Sequence, residues 1–122
     1  MDSLRFGKLL VFVTSLDEAK RFYGDVLGLS LAREANDMLL FRQPDFELAI
    51  FSCRQATAPD RHSEVAGSTF VFSVPSVERA MRDLQSKGVQ FLHSEPADGP
   101  LGRYAAFADP FGNVHEISEP RS

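Results

Sequence analysis

The feature that most constrains the fold of this chain is an internal repeat with a spacing of 61 residues. Adding 61 to four positions of the first half gives identical residues in the second: Val13 and Val74, Ser15 and Ser76, Ala19 and Ala80, Arg21 and Arg82. Two copies are too few for a solenoid, whose units need about three stacked neighbours. We therefore expect one domain built from two similar modules, each of which packs one helix against a shared sheet.

Each copy has the pattern of a strand, a helix and three further strands. In the first copy, the apolar run LLVFV precedes Ser15, which stands in the capping-box relation to Glu18. Apolar residues then recur at helical spacing as far as Gly28, a residue type suited to the left-handed conformation that ends helices. Gly88 ends the second helix one residue earlier than the repeat predicts. Three apolar stretches follow each helix: LSLAR, MLLF and FELAIFSC in the first copy, VQFL, RYAAF and VHEIS in the second.

Composition narrows the possible partners. The 13 basic residues are scattered among 17 acidic ones, for a net charge of −4, whereas nucleic-acid binding needs clustered Lys and Arg. The single cysteine, Cys53, has no partner for an intramolecular disulfide, which favours a reducing compartment. The sequence shows no signal-peptide pattern and no apolar run of about 20 residues. We predict a cytoplasmic protein with neither nucleic-acid nor membrane partners.

The paired pattern, with FVTSLDEAKRFYGDVLGLSL in the first copy and DPFGNVHEI closing the second, resembles the vicinal oxygen chelate family, also called the glyoxalase/bleomycin-resistance/dioxygenase family. The resemblance extends from about Phe6 to Ser118. It implies an α+β fold of two βαβββ modules, residues 6–53 and 69–118, joined by a linker, residues 54–68. The curved mixed sheets of the family form an open cup that holds the site, with the helices on the outer face. Many members are homodimers, so the resemblance also implies a homodimer.

The resemblance does not imply one reaction, because members include metal-dependent lyases, epimerases, dioxygenases, thiol transferases and metal-free proteins that sequester drugs. In metal-using members, the ion is held by a His or Gln on the first strand of each module and by a carboxylate on a last strand. The matching positions here are Lys8, Thr69, Glu116 and either Ala49 or, after a two-residue slip, Glu47. A protonated lysine has no lone pair and a threonine hydroxyl is a weak ligand, so we predict that the cup holds no metal and needs no cofactor.

Lys8 and Glu116 are the candidate catalytic residues. If both side chains project into the space that an ion occupies in metal-using relatives, the ammonium can neutralise the carboxylate, because an unpaired buried charge is costly. Lys8 could also act as a general base or bind an anionic substrate. The alternative is that Lys8 extends out of the cup mouth and that Glu116 is hydrated.

The alternation of side chains along strands predicts the wall of the cup. The wall is apolar with a few polar groups, as small-molecule pockets usually are, although the same residues could pack against a neighbouring chain. The register of RYAAFAD leaves open whether Arg103 or Tyr104 faces inward. The ligand-binding candidates are Leu10, Phe12, Glu47, Ala49, Phe51, Thr69, Val71, Ser73, Arg103, Tyr104 and Val114.

The three histidines are predicted to lie outside the site. His115 is next to Glu116 on one strand, so it should face the helices as a buried structural residue. His93 precedes SEPADGP, which is predicted to be a rim loop. From there it could reach a bound ligand, but we expect it to be solvated. His62 lies in the polar linker and is also expected to be solvated.

Two functions remain. We favour a glyoxalase/bleomycin-resistance-like protein that binds a small organic molecule in its cup without a metal ion. The alternative is an enzyme, either a metal-dependent lyase, isomerase or dioxygenase that uses Glu116 and Glu47, or a metal-free enzyme with Lys8 and Glu116 as acid and base.

Overall fold

A computed structural model of the chain describes residues 4–120. The chain divides into two compact units, with the boundary between Ala56 and Thr57. Residues 57–68, which the sequence predicts to be part of a linker, therefore belong to the second unit.

The first unit contains one four-stranded sheet and one helix. The strands are β1 (Leu9–Val13), β2 (Leu31–Glu34), β3 (Met38–Gln43) and β4 (Phe46–Ser52), and the helix α1 (Leu16–Ala19) continues as a π-helical stretch, Lys20–Val26. The sheet order is β1-β4-β3-β2, with β1 parallel to β4 and the other pairs antiparallel. Its core is formed by apolar side chains from the helix and from one face of the sheet: Val11, Val13, Ala19, Phe22, Tyr23, Leu39, Phe41, Leu48 and Ile50.

The second unit repeats this plan. After a short 3-10 helix, Pro59–Arg61, come β5 (Phe70–Ser73), helix α2 (Val77–Ser86), β6 (Gln90–Phe91), β7 (Ala97–Gly99), β8 (Gly102–Ala108) and β9 (Val114–Ser118). The sheet order is β5-β9-β8-β6, and β7 pairs with β8. The pair β5 and β9 is parallel, as is the equivalent pair β1 and β4 in the first unit.

These elements confirm the predicted α+β fold and the order of strand, helix and strands in each copy. One element differs from the expectation. The stretch SEPADGP, predicted to be a rim loop, contains the short strand β7, so four strands rather than three follow α2. Ala97 lies opposite Tyr104 and Gly99 opposite Gly102, and this hairpin extends the edge of the sheet.

The helix ends follow the sequence signals. The Ser15 and Ser76 hydroxyls accept hydrogen bonds from the N–H groups of Glu18 and Arg79, each at 3.2 Å, which satisfies donors that the first helical turn leaves unpaired. Gly28 and Gly88 end the helices with φ of +79° and +91°. Because a π-helix fits more residues into a turn, the π-helical stretch in the first helix explains why its closing glycine comes one residue late.

Candidate functional site

Glu116 lies on β9, directly after the turn that the sequence DPFGN forms. The Asp109 carboxylate, which is 4% exposed, accepts hydrogen bonds from the N–H groups of Phe111 and Asn113 at 2.9 and 2.8 Å. It also accepts one from the Asn113 side-chain amide at 2.9 Å. Three bonds to one buried carboxylate fix the turn and therefore the start of β9.

The same turn anchors the segment 57–69. The Thr57 N–H donates a hydrogen bond to the Phe111 carbonyl at 2.9 Å. Gly112 has φ of +90°, and a Cβ built there would lie 1.8 Å from the Thr57 carbonyl oxygen. Only glycine fits a left-handed position this close to another backbone, so the turn and the segment are packed against each other through Gly112.

Strand alternation places Glu116 on the face of the sheet that does not form the core. On β9, His115 and Ile117 are buried, whereas Val114, Glu116 and Ser118 are half-buried. Glu116 lies opposite Val71 in the register of β5 and β9. The exposed residues of β5, Val71 and Ser73, therefore share the face of Glu116, as the sequence predicts.

His62 contacts Glu116, which corrects the expectation that His62 is solvated. The Nε2 atom of His62 lies 3.0 Å from Oε2 of Glu116, and the two side chains are only 16% and 22% exposed. Its other ring nitrogen, Nδ1, lies 3.5 Å from the Thr69 hydroxyl. Thr69, His62 and Glu116 thus form a hydrogen-bonded chain.

Sequence reasoning missed this chain of three residues because 54 residues separate His62 from Glu116 and strand periodicity says nothing about a side chain on a loop. It also predicted that all three histidines lie outside the site. One feature of the sequence could have indicated His62. It lies only seven residues before Thr69, a position that the family resemblance had already assigned to the site.

The chain of three residues borders a pocket of about 480 Å³ within the second unit. Its wall consists of the segment 57–69, the end of the DPFGN turn and the start of β9, and the lining residues include Arg61, several serines and threonines and the apolar Val65 and Val114. A second hollow of about 370 Å³ shares His62 and is lined mainly by apolar residues, Pro59, Phe91, Leu92 and Ala108, together with Asp60 and Gln90. His62 therefore lies where a polar and a more apolar hollow meet.

In the first unit, the predicted wall residues of β1 and β4 also share one face. Leu10 and Phe12 are 46% and 52% exposed, and the ring of Phe12 lies 6.4 Å from that of Phe51. Leu10 lies opposite Ala49, just as Val71 lies opposite Glu116. Leu10 and Val71 are equivalent in the repeat, because 61 residues separate them. Their partners in the register, Ala49 and Glu116, are therefore equivalent as well, and Glu47 is not the counterpart of Glu116.

Glu47 is instead engaged by basic side chains of its own unit. The Arg42 Nε atom donates a hydrogen bond to Oε2 of Glu47 at 2.7 Å. This bond, assisted by the charges of Arg42 and Lys8, lowers the pKa of Glu47 below its ordinary value. Lys8 is exposed.

The structure also assigns the residues that the sequence left open. Tyr104 shares the Glu116 face of β8 and β9, whereas Arg103 lies on the other face, where its guanidinium donates to the Glu78 carboxylate of α2. Arg103 is therefore not part of the predicted wall.

His93 is half-buried rather than solvated: its Nδ1 donates to the Glu95 carbonyl at 2.6 Å and its Nε2 accepts from the Ala106 N–H at 2.9 Å. His115 is buried, as strand alternation predicts.

The residues around Glu116 do not fit a divalent ion. Such an ion needs several converging donors, and here one imidazole and one carboxylate bond to each other beside a threonine hydroxyl. Within residues 4–120, no group of three or more His, Cys, Asp or Glu side chains could hold a metal.

No helix in this part of the chain is long and apolar enough to cross a membrane.

Comparison with known proteins agrees with this architecture. A sequence model of the Glyoxalase/Bleomycin resistance protein/Dioxygenase superfamily matches residues 5–117. The chain belongs to this superfamily. A comparison with curated proteins gives no match.

Solved structures of the superfamily share the fold. The lactoylglutathione lyase from Agrobacterium tumefaciens is 22% identical with a TM-score of 0.74, and the alignment covers 97% of this chain and 95% of that one. A glyoxalase family protein from Enterococcus faecalis is 23% identical with a TM-score of 0.78, covering 94% and 97%. A glyoxalase/bleomycin resistance protein/dioxygenase from Nocardioides is 22% identical with a TM-score of 0.73, covering 98% and 85%. At these identities, the likeness concerns the fold.

Proposed function

We propose that this superfamily member binds a small organic molecule in the pocket beside Glu116 and that binding needs no metal ion. The observation that supports the proposal is the hydrogen bond between His62 and Glu116 at the edge of a pocket of about 480 Å³. At the position where metal-using relatives present a carboxylate to an ion, the carboxylate here is bonded to an imidazole of its own chain.

The size and chemistry of the pocket suit a small ligand. Small-molecule pockets typically measure about 300–1,000 Å³ and combine apolar walls with a few well-placed polar groups. Here Val65 and Val114 provide apolar surface, whereas Arg61, Thr69 and Glu116 provide a cation, a hydroxyl and a carboxylate. A ligand that offers both an acceptor and a donor can therefore be oriented in this pocket.

The alternative function is a metal-dependent lyase, isomerase or dioxygenase that uses Glu116 and Glu47. One observation favours it: the structure adds an imidazole, that of His62, to the donors near Glu116. Glu47, however, already forms an ion pair with Arg42 in the first unit. Elemental analysis separates the two functions.

We expect protein purified without chelator to contain far less than one equivalent of Mn, Fe, Co, Ni, Cu or Zn, measured by plasma mass spectrometry. Divalent ions added to the protein should leave its melting temperature unchanged, because a ligand that binds only the folded state would raise it. A stoichiometric metal that is lost on Glu116→Gln, and retained on the control substitution Glu95→Gln, would contradict the proposal and favour the alternative.

A second test concerns binding itself. Small organic molecules that raise the melting temperature of the protein should do so less in Glu116→Gln and His62→Gln, by a loss of affinity of about tenfold, since one polar contact is worth on the order of 1.4 kcal/mol. His93→Gln is the matched control, because both nitrogens of that ring bond to the main chain instead. Equal affinity in all three variants, measured by calorimetry, would argue against a site beside Glu116.

Two further expectations belong to this proposal. Lys8 and Glu116 lie in different units, and the pairing of their charges stays a prediction that Lys8→Met tests: unchanged ligand affinity would count against it.

We also propose a homodimer, as in many relatives. Sedimentation equilibrium should give twice the chain mass of 13.6 kDa, and a monomer would contradict this.

A further inference from the structure

We propose that His62 is a general base, positioned by Glu116, that removes a proton from a weakly acidic organic molecule bound in the pocket. This inference rests on the proposed binding function and adds a reaction to it. His62 itself is not one of the positions that the family resemblance assigned to the site.

The hydrogen bond to Glu116 determines which nitrogen of His62 is basic. An ionised carboxylate can only accept hydrogen bonds, so at 3.0 Å from Oε2 the Nε2 atom must hold a proton. In the neutral ring, the lone pair then lies on Nδ1. Glu116 thus keeps the ring in one tautomer and in one orientation, and it stabilises the imidazolium that forms when Nδ1 takes a proton.

The surroundings of Nδ1 leave it available to a ligand. Its neighbour in the described part of the chain is the Thr69 hydroxyl at 3.5 Å, the outer limit of a hydrogen bond. Both Thr69 and His62 line the pocket, so a bound molecule can approach Nδ1 and replace this long contact. The other two imidazoles differ, because His93 bonds to the main chain through both nitrogens and His115 is buried among phenylalanine rings.

The pocket also contains a group that can stabilise the product of proton removal. Arg61 is one of the residues that line the pocket, and within residues 4–120 it forms no ion pair. A guanidinium stabilises negative charge that develops on oxygen. We therefore assign the substrate to the class of small carbon or oxygen acids whose conjugate base is an oxyanion.

Nitrobenzisoxazole is a suitable probe because its ring opening needs only a base. The base takes the proton from the ring carbon, the electron pair of that C–H bond forms the nitrile, and the N–O bond breaks to give a coloured cyanonitrophenolate. The proton on Nδ1 then returns to water, and no oxidant or reductant takes part. Nitrobenzotriazole has a similar size and cannot open, so it measures binding alone.

We expect the wild-type protein to accelerate the ring opening beyond the rate with the same concentration of free imidazole. His62→Gln should lower kcat on the order of 100-fold, the usual contribution of a general base. Glu116→Gln should lower kcat about tenfold, because glutamine can still accept the Nε2 hydrogen bond but lacks the charge. His93→Gln should stay within twofold of wild type. Circular dichroism verifies that each variant is folded.

The outcomes separate this inference from the proposed function. Turnover that depends on His62 and survives His93→Gln supports the base. Turnover that is unchanged in His62→Gln overturns it, as does the absence of acceleration by the wild-type protein at saturating probe. Calorimetric binding of nitrobenzotriazole without turnover overturns the base while leaving the binding function intact. If His62→Gln does not fold, the conservative His62→Asn takes its place, with the same expected loss.

Discussion

Replacement of Gly112 by alanine is expected to cost about 3 kcal/mol of unfolding free energy, which is large for a single substitution. Two effects add at this position. The left-handed φ of +90° strains any residue with a Cβ, at about 1 kcal/mol or more. In addition, the new methyl group would lie 1.8 Å from the Thr57 carbonyl oxygen and 2.5 Å from its carbon, and both contacts are with backbone atoms. Urea unfolding followed by circular dichroism measures the total.

Gly88→Ala is the matched control for this substitution. Gly88 has nearly the same φ, +91°, but a Cβ there meets nothing within 4 Å. It should therefore show the backbone strain alone, and the difference between the two variants isolates the collision with Thr57. Equal losses in the two variants would mean that the segment 57–69 moves away from the turn without cost. Faster trypsin cleavage after Arg61 in Gly112→Ala would report that movement directly.

The elements that the sequence predicted well are those set by local rules. Ser15 and Ser76 end up as helix caps, and Gly28 and Gly88 as left-handed helix ends, because each role depends on a few neighbouring backbone atoms. The register of β8 stayed open until the structure placed Tyr104 on the face of Glu116, whereas the faces of β1, β4, β5 and β9 followed from alternation, which has no freedom once one buried residue is known. His115 is an example: its neighbour Glu116 could not share its face.

The features that escaped prediction depend on contacts between distant parts of the chain. The bond from His62 to Glu116 requires the segment 57–69 to fold back over β9, and this return is fixed by Gly112 and Thr57, which sequence spacing does not connect. The strand β7 forms because its partner β8 supplies hydrogen bonds to a stretch that is rich in turn residues. The π-helical stretch is visible in the sequence only as the one-residue mismatch between the two closing glycines, and the sequence alone does not show that a π-helix causes this mismatch.

His115 provides the second large prediction, a loss of stability in acid. The ring is 4% exposed and packs edge-on against Phe70 and Phe72 and near Phe107. Burial lowers the pKa of His115 from 6.5 to about 4, although the nearby Asp109 charge acts in the opposite direction. A histidine that stays neutral in the folded state costs stability wherever the unfolded chain has already taken up a proton.

The sign and the pH window follow from these two values. Above pH 6.5, both states are neutral at this ring and its contribution to stability is complete. As the pH falls from 6.5 to about 4, only the unfolded state binds the proton, so up to about 3 kcal/mol is lost. His115→Phe fills the same space with a ring that does not titrate, and urea unfolding at a series of pH values should show a smaller loss in this variant than in the wild type. His93→Phe is the control for removing a half-buried histidine. Parallel stability curves for wild type and His115→Phe between pH 6.5 and 4 would mean that the buried ring is protonated in the folded protein and that the aromatic cluster opens to water.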